Sequence, residues 1–498
     1  MQITKLFSLA FALILIGSMA NAQDKKIEFV EYDLDNGLHV ILHEDHSTPI
    51  VTVSVMYHVG SKNENPDRTG FAHFFEHLLF EGSENIGRGE FFKYIEGAGG
   101  SNNANTSFDR TYYFETLPSN HLETGLWLES ERMLHAKVDI TGVETQREVV
   151  KEEKRQRVDN QPYGTFLTNA FQLAFKDHPY RWMPIGSMAH LDAATEEDYI
   201  KFYRTFYVPN NATLSIAGDF DIEETKKLVA KYFGTIPSGE KLKVYRDLEF
   251  LSPDEMIEKY LPGLPYSKKK KFISDMESKT TEEIIKMYFS RVSSKPNAIP
   301  RPKVVEPALG GEKRMVVEDN IQLPAVMLGY RMPAQNTDEF YAVQILNRIL
   351  SGSKSARFNK TLVEKDQIAM FVQGFPLPLE HPGLALVLGI ANGSTSPDSL
   401  EMAMDAQIEK LIAEGVTDEE MQIVKNKIET DFYSTNSRVG GISESLANFH
   451  VYFGSADQIN KQMEKYLTVT KEDVLKVAKK YYVKDNRIVL HYVPKSEE

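Results

Sequence analysis

The 498-residue sequence contains no cysteine, which excludes disulfide bonds, cysteine metal ligands and a lipid-bearing cysteine at a processing site. Positive charge is also scarce, because 57 lysine and arginine residues stand against 71 aspartate and glutamate residues. The resulting net charge of −14 argues against a nucleic-acid partner, which would require a basic surface. Hydrophobic residues at 42% and charged residues at 26% are ordinary for a globular protein. The chain is too long for one ordinary core, so we expect two or more domains.

Long apolar runs are missing outside the N-terminal segment, residues 1–22. This segment begins with Lys5, continues with an apolar stretch that ends at Ile16, and closes with the small-x-small sequence Ala-Asn-Ala at 20–22. That order is typical of a secretory signal peptide cleaved after Ala22. The alternative is a membrane anchor, but the apolar run is short for a bilayer span. We therefore predict an exported, periplasmic protein with no membrane span after cleavage.

The chain after residue 22 opens with strand-like patterns. The dipeptide Asn-Gly at 36–37 separates two extended runs and predicts a β-hairpin. The β-branched stretch IVTVSVMYHVG at 50–60 predicts another strand. The stretch GGSNNANTSFDR at 99–110 predicts a loop that enters a further strand. Two long helical patterns follow, at 122–137 and 141–158.

A helix-then-strand unit occurs twice. The stretch TEEDYIKFYRTFYVPNNATLSI at 195–216 matches TKEDVLKVAKKYYVKDNRIVLH at 470–491, and every matched pair is 275 positions apart. A fixed offset over a whole unit indicates duplication rather than chance. We therefore divide the chain into an N-terminal domain at 23–239, an insertion and Pro-rich linker at 240–300, and a homologous C-terminal domain at 301–498.

Three ionisable side chains lie within the apolar helical stretch GFAHFFEHLLFEGS at 70–83, namely His73, Glu76 and His77. Residues four apart share one helix face, so the two imidazoles can chelate one metal ion, for which zinc is the usual choice. Glu76 can then accept a proton from a metal-bound water. The alternative is a pair of satisfied core histidines with a capped glutamate. Metal binding is favoured because the duplicated helix, YAVQILNRILSGS at 341–353, has neutral residues at all three positions.

A catalytic zinc site needs a third protein ligand. The helical stretch QREVVKEEKRQR offers Glu148, Glu152 and Glu153. In helical projection Glu153 falls between Val149 and Val150, on the face expected to be apolar and buried, and Glu152 falls at the edge of that face. Glu153 is therefore the predicted ligand, and the alternative is that the whole helix presents a solvated charged face. A purely structural zinc would need a fourth protein ligand, which the sequence does not offer.

These residues together resemble the insulinase/pitrilysin family of zinc metallopeptidases, which includes the mitochondrial processing peptidase. HFFEH is an inverted zinc motif, His-x-x-Glu-His, and Glu153 follows His77 by 76 positions, as in that family. The resemblance covers nearly all of the chain after residue 22, apart from the insertion. It implies an α+β fold of two duplicated halves, each with mixed, mostly antiparallel sheets packed with helices, that forms part of a clamshell around an extended peptide. It also implies one Zn²⁺ per chain, held by His73, His77 and Glu153, with Glu76 as the general base.

The resemblance extends to the stretch at 100–106, where Asn103 and Ala104 match positions that contact substrate in relatives. There a peptide adds as an extra strand through backbone hydrogen bonds. From the residues alone, an ordinary Gly/Asn-rich turn is the simpler interpretation. Gln146 stands where active relatives usually carry a supporting glutamate, and its amide can still hydrogen-bond, although it changes the charge of the site.

One departure from the family pattern indicates that a second subunit is needed. In many relatives the inactive half supplies an Arg and a Tyr that grip the substrate carbonyl and stabilise the oxyanion, whereas the matching positions here are Val363 and Met370. This departure predicts a heterodimer with a related subunit that carries the Arg/Tyr pair, or a homodimer. Our first hypothesis is an exported zinc endopeptidase that cuts unfolded peptides. The alternative is a peptide-binding or assembly subunit with little activity of its own.

Overall fold

The computed structural model describes residues 26–495, so the predicted signal peptide at 1–22 lies outside the described residues. Within them the chain forms two mixed, mostly antiparallel sheets packed with helices. This is the α+β architecture of two duplicated halves that the sequence predicts. Between residues 26 and 495, no helix is both long and apolar enough to cross a bilayer.

The first sheet has six strands in the order β1-β2-β6-β3-β5-β4. Its strands are β1 (Val30–Asp33), β2 (His39–Glu44), β3 (Ile50–Tyr57), β4 (Ser101–Thr106), β5 (Thr111–Pro118) and β6 (Ala212–Gly218). Only β2 and β6 pair in parallel, and the other neighbours are antiparallel. Strand β4 pairs with β5 alone among the described strands, so it forms an edge of the sheet.

The second sheet has five strands in the order β7-β11-β8-β10-β9. Its strands are β7 (Lys313–Asp319), β8 (Ala325–Met332), β9 (Ala369–Leu377), β10 (Gly383–Ala391) and β11 (Arg487–Pro494). Its one parallel pair is β7 with β11. Without β1, the first sheet has the same order and the same single parallel pair, so the duplication seen in the sequence is also a duplication of topology. Strand β9 is thus the counterpart of edge strand β4.

Between residues 26 and 239, eight α-helices accompany the first sheet. They are α1 (Phe71–Leu78), α2 (Phe91–Gly97), α3 (Leu122–His135), α4 (Ile140–Lys154), α5 (Phe166–Ala174), α6 (Met188–Ala193), α7 (Glu196–Phe206) and α8 (Ile222–Tyr232). Helix α4 continues into a π-helical turn at Arg155–Asp159. Most of these helices share one apolar core with the first sheet.

Four helices lie between the halves and form a small apolar core of their own. They are α9 (Gly239–Phe250), α10 (Pro253–Tyr260), α11 (Tyr266–Ser278) and α12 (Thr281–Tyr288). Residues 289–312 then run without helix or strand into the second half.

In the described part of the chain, six α-helices and one π-helical segment, Asn359–Lys365, accompany the second sheet. The α-helices are α13 (Asp338–Ser351), α14 (Pro397–Glu414), α15 (Asp418–Asn436), α16 (Val439–Phe453), α17 (Ile459–Thr468) and α18 (Lys471–Tyr481). The repeated unit is evident here, because both bounds of α18 differ from those of α7 by 275 positions. Both helices also begin with the same capping box, formed by a threonine and an aspartate three residues later.

Each half packs one of its helices against the sheet of the other half. Helix α5 of the first half packs its residues Ala170 and Phe171 against the second sheet, where Leu386 and Leu490 are buried. Helix α16 of the second half packs in turn against β2 and β6 of the first sheet, with Leu446 in that contact. The halves are therefore joined through buried apolar contacts on both sheets.

Two local predictions have contrasting outcomes. The hairpin at 36–37 is confirmed, because β1 and β2 pair antiparallel and Gly37 has a φ of +89°, a conformation that favours glycine. The loop predicted over 99–110 is wrong in its central part, since Ser101–Thr106 forms strand β4. Asparagine has weak strand propensity, but backbone pairing with β5 overrides it.

Candidate metal centre

A buried carboxylate fixes the start of helix α1. Glu64 accepts hydrogen bonds from the backbone N–H groups of Gly70 and Ala72 at 2.9 Å each, and from Nε1 of Trp182 at 3.1 Å. Gly70 has a φ of +97°, which side-chain-bearing residues rarely adopt. Burial raises the pKa of Glu64 to about 8, although these hydrogen bonds oppose the shift. The orientation of α1 therefore depends on the hydrogen bonds that this buried acid accepts.

Helix α1 buries one face and leaves the other for polar groups. Its buried aromatic residues contact helix α7, and Phe75 stacks on Phe202 with ring centroids 5.7 Å apart. On the remaining face, His73 and His77 bring their ring centroids to 4.9 Å. The four-residue spacing thus places both imidazoles side by side, as the helical period requires.

Helix α4 brings Glu153 to these imidazoles. Oε2 of Glu153 lies 3.5 Å from Nε2 of His73 and 3.2 Å from Nε2 of His77. Glu153 is 15% exposed, whereas Glu152 is 53% exposed and pairs with Arg155 instead. The structure therefore brings together the two histidines and the glutamate singled out in the sequence.

One detail of the helical projection is wrong. Val149 was expected on the buried face beside Val150, but Val149 is exposed and Val150 is fully buried. The buried stripe of α4 runs through Val143 and Val150, seven residues apart and so nearly in line along the helix. Glu153 lies at the margin of this stripe, and this explains why its carboxylate can face the imidazoles while Val149 faces solvent.

The distances fit a zinc ion. Bonds of about 2.0–2.1 Å in tetrahedral geometry place neighbouring ligand atoms about 3.3 Å apart, close to the 3.2 and 3.5 Å that separate Glu153 from the imidazoles. Candidate ligand atoms of His73, His77 and Glu153 all lie within 4.8 Å of one another. Oε2 of Glu153 is buried and accepts no hydrogen bond within residues 26–495. A buried oxygen of this kind, facing two imidazole nitrogens, is what a bound cation would satisfy.

The protonation preferences of His73 and Glu153 also suit a metal. Burial, together with the neighbouring His77, lowers the pKa of His73 to about 4, so His73 is neutral at pH 7. Contact with His77 lowers the pKa of Glu153, so its carboxylate is ionised. Neutral imidazole and ionised carboxylate are the forms that bind metal ions.

Glu76 lies on the same helix and has a different partner. The hydroxyl of Thr106, the last residue of β4, donates to Oε2 of Glu76 at 2.6 Å. Burial raises the pKa of Glu76, and the hydrogen bond from Thr106 opposes that shift. A carboxylate with a raised pKa is a stronger base, which suits proton transfer near neutral pH.

Sequence reasoning missed Thr106. Strand alternation places residues two apart on one face, so Ala104 and Thr106 lie on the face that meets α1. This alternation predicts the position of Thr106 only if residues 101–106 are treated as a strand and not as a loop. Ala104 is buried and Asn103 is exposed, and the side-chain oxygen of Asn103 accepts from the backbone N–H of Ala104 at 2.9 Å.

Within residues 26–495, Gln146 forms no hydrogen bond with the three candidate ligands, and its side-chain oxygen is buried without a hydrogen-bond partner. Its amide nitrogen donates to Glu81, which lies just after α1 and also pairs with Arg88. Gln146 therefore links helix α4 to the end of α1 rather than to a ligand side chain.

The positions that replace the Arg/Tyr pair lie in the second half. Met370 is exposed on edge strand β9, and Val363 is partly buried against the second core. A cavity of about 1000 Å³ also belongs mainly to this half, between α13, α16 and β9. The candidate metal ligands do not line this cavity, so the metal centre and the cavity are separate features.

Comparison with known proteins places these features in one family. A family model described as "Insulinase (Peptidase family M16)" matches residues 39–181. A second, described as "Peptidase M16 inactive domain", matches residues 193–269 and 272–428. The chain is 28% identical over 472 residues to the zinc protease PqqE of Helicobacter pylori, a match that covers 94% of each chain.

Solved structures agree with this assignment. A crystal structure of a protease from Helicobacter pylori matches with a TM-score of 0.79 and 26% identity, covering 94% of this chain and all of that one. The periplasmic protease PqqL from Escherichia coli shares the fold, with a TM-score of 0.66 and 17% identity over 94% of this chain and 48% of that one. The two family models cover most of the sequence, and the chain therefore belongs to the insulinase family, peptidase family M16, as its HFFEH motif indicated.

Proposed function

We propose that this protein is an exported zinc endopeptidase that hydrolyses peptide bonds in unfolded peptides. One Zn²⁺ per chain is held by His73, His77 and Glu153. The observation that carries the proposal is the position of Glu153 Oε2, 3.2 and 3.5 Å from the two imidazole nitrogens. Three protein ligands leave a coordination position open, which distinguishes a catalytic zinc site from a structural one. We assign this role to the domain at 23–239.

Proton transfer and the positioning of the base are assigned to different residues. When bound, zinc supplies a Lewis acid and lowers the pKa of water. Glu76 takes the proton of the attacking water and passes it to the leaving amine, so one carboxylate serves first as base and then as acid. Thr106 holds Oε2 of Glu76 by its hydrogen bond and restricts the rotation of the carboxylate. Gln146 steadies the α1–α4 pair through Glu81.

The substrate binds along edge strand β4. Among the described strands none covers the outer edge of β4, so an extended peptide can add there as a further strand, once the Asn103 side chain releases the backbone N–H of Ala104. Asn103 and Ala104 lie on this strand and contact the peptide. Because backbone pairing needs an extended chain, unfolded peptides are favoured over folded proteins.

A related subunit completes the enzyme. Val363 and Met370 cannot donate a hydrogen bond to a developing oxyanion. A second copy of this chain would bring the same two residues, so a heterodimer with an Arg/Tyr-bearing subunit is preferred over a homodimer. Export to the periplasm is supported by the N-terminal signal pattern and by the relative PqqL, which is described as periplasmic.

The test is hydrolysis of an unstructured, internally quenched peptide by the purified chain, with zinc content measured on the same sample. We expect zinc at one ion per chain and cleavage that disappears in Glu76→Gln. Zinc with cleavage only after a related subunit is added would support the two-chain form. Zinc and peptide binding without cleavage under either condition would favour the alternative, a peptide-binding subunit.

A further inference from the structure

The four residues after strand β4 form a tight turn into β5, Ser107–Arg110. The backbone N–H of Ser107 donates to the carbonyl of Arg110 at 2.8 Å, and the Ser107 hydroxyl oxygen accepts from two backbone N–H groups of the turn at 3.2 and 3.1 Å. This turn sets the end of β4, where Thr106 donates to Glu76. Whatever holds the turn therefore also holds the hydroxyl that orients the proposed base.

Arg110 connects this turn to the second half. Its Nη2 donates to Oε1 of Glu444 at 2.5 Å, and its Nη1 donates to the side-chain oxygen of Asn105, the residue before Thr106. Glu444 belongs to α16, the helix that the second half packs against the first sheet. A carboxylate of the second half thus fixes the last residues of β4 through one arginine.

A second contact between the halves also involves the turn. Lys62 is fully buried, and its Nζ contacts Oδ1 of Asp109 at 2.9 Å and the carboxylate of Glu380, which lies between β9 and β10. The backbone N–H of Glu380 donates to Oδ2 of Asp109 at 3.0 Å, and the Tyr180 hydroxyl donates to Oδ1 at 2.6 Å. Burial raises the pKa of Glu380, but contacts with His58 and Lys62 outweigh it and hold that pKa well below its usual range. A charged group of the second half therefore also faces the turn.

We propose that Glu444 and Glu380 are positioning residues, through which the second half fixes the end of β4 and, with it, the hydroxyl that orients Glu76. This inference rests on the proposed function, in which Glu76 is the general base and β4 receives the peptide. The second half has no counterpart of the HFFEH side chains. Its contribution to the centre is the placement of two carboxylates around one turn.

A purely structural role for these ion pairs leads to different expectations. Lys62 is buried, so loss of Glu380 also destabilises the fold by leaving a buried charge poorly paired. The Glu444 side chain is 37% exposed, and partly exposed ion pairs contribute little to the free energy of unfolding. Glu444→Gln is therefore the diagnostic variant, because it keeps the side-chain size and an acceptor oxygen but removes the charge that orders Arg110.

The first measurement is backbone amide hydrogen exchange on the zinc-free chain, which requires no catalysis. We expect Glu444→Gln to speed exchange in the segment 101–110 by about tenfold. The matched control is Asp418→Asn, since Asp418 pairs with Lys471 at 2.8 Å in the second half and forms no ion pair with the turn among the described residues. Unchanged exchange at 101–110 in Glu444→Gln overturns the proposal. This readout stays decisive even if the zinc-loaded chain cleaves no peptide and the proposed function fails.

The second measurement is a double-mutant cycle on kcat with Thr106→Val. If Glu444 acts through Thr106, Glu444→Gln lowers kcat roughly 10- to 100-fold in the wild-type background and has little further effect beside Thr106→Val. Zinc content and melting temperature stay at the wild-type values. Independent, multiplicative losses of kcat contradict the route through Thr106, and a fall in zinc content would place the effect on the metal ligands and contradict it as well.

Discussion

Nη1 of Arg157 lies 2.6 Å from Oε1 of Glu153, while the imidazoles of His73 and His77 lie near the other oxygen, Oε2. The guanidinium therefore occupies one oxygen of the carboxylate and directs the second towards the metal position. Partners of this kind orient metal ligands, and they affect metal affinity although they do not touch the ion.

The Arg157–Glu153 pair predicts an effect on zinc affinity. Replacement of Arg157 by alanine removes the group that orients the Glu153 carboxylate, so zinc affinity is expected to fall, by about tenfold at most because the Arg157 side chain is 77% exposed. Competition with a fluorescent chelator measures it. Arg155→Ala is the matched control, because Arg155 lies in the same turn but pairs with Glu152, outside the centre, at 3.0 Å. Equal losses in the two variants would contradict the prediction.

Glu76→Gln is expected to separate metal binding from catalysis. Glutamine keeps an oxygen that can accept from Thr106 but cannot accept a proton, so kcat falls by at least about 10²-fold. Zinc content stays at the wild-type level because Glu76 is not among the three proposed ligands. Peptide hydrolysis and elemental analysis on one preparation measure both quantities, and His77→Gln serves as the contrasting variant that loses zinc. Loss of zinc in Glu76→Gln would show that the roles are wrongly assigned.

The buried acid at the start of α1 predicts a stability effect. Glu64 accepts three N–H groups, whereas the amide of Glu64→Gln has one acceptor oxygen and turns its own N–H groups towards those donors. The cost is expected to be about 1–3 kcal/mol in the free energy of unfolding. Urea titration monitored by circular dichroism measures this cost. The exposed neighbour provides a control, since Asp67→Asn should leave the midpoint unchanged.

His178 predicts a pH dependence of stability. Burial lowers its pKa to about 4, and its Nε2 is buried without a hydrogen-bond partner in the described part of the chain. In the unfolded chain a histidine has a pKa of about 6.5, so between these values the unfolded state binds the proton and the folded state does not. The contribution of neutral His178 to the free energy of unfolding is therefore complete above pH 6.5. It is lost as the pH drops towards 4, and the loss is about 3 kcal/mol at most.

The measurement for His178 is a series of urea titrations between pH 7.5 and about 4, the lower bound set by its pKa. His178→Gln has no group that titrates in this window, so its stability should change less with pH than that of the wild type. Because other groups titrate too, the informative quantity is the difference between the two profiles. Parallel profiles would exclude His178 as a source of the acid sensitivity.

Much of the centre could be predicted from the sequence because its main determinants are local or periodic. His73, Glu76 and His77 lie within one helical turn and a half, and the helical period alone fixes their shared face. Glu153 was separable from Glu152 by the same period. The duplicated helix has Val343, Leu346 and Asn347 at the three equivalent positions. A helix of this kind therefore packs without ionisable residues at those positions.

What the sequence could not provide depends on pairing between distant segments. Strand β4 is rich in asparagine, and only its register with β5 makes it a strand and brings Thr106 to Glu76. The exposure of Val149 depends on which neighbours cover α4, which a helical projection does not contain. The contacts of Glu444 with Arg110 join residues 334 positions apart and follow no periodic pattern.

The reciprocal packing of helices α5 and α16 makes each half dependent on the other. A half expressed alone would keep its own core but leave the outer side of its sheet bare, where Ile41 and Ala217 now meet Leu446. An exposed apolar sheet face of this kind promotes aggregation. The second half therefore has a structural role that does not depend on metal-binding side chains, because its helix α16 covers apolar residues of the first sheet. The first half in turn covers the second sheet with helix α5, so each half shields an apolar sheet face of the other.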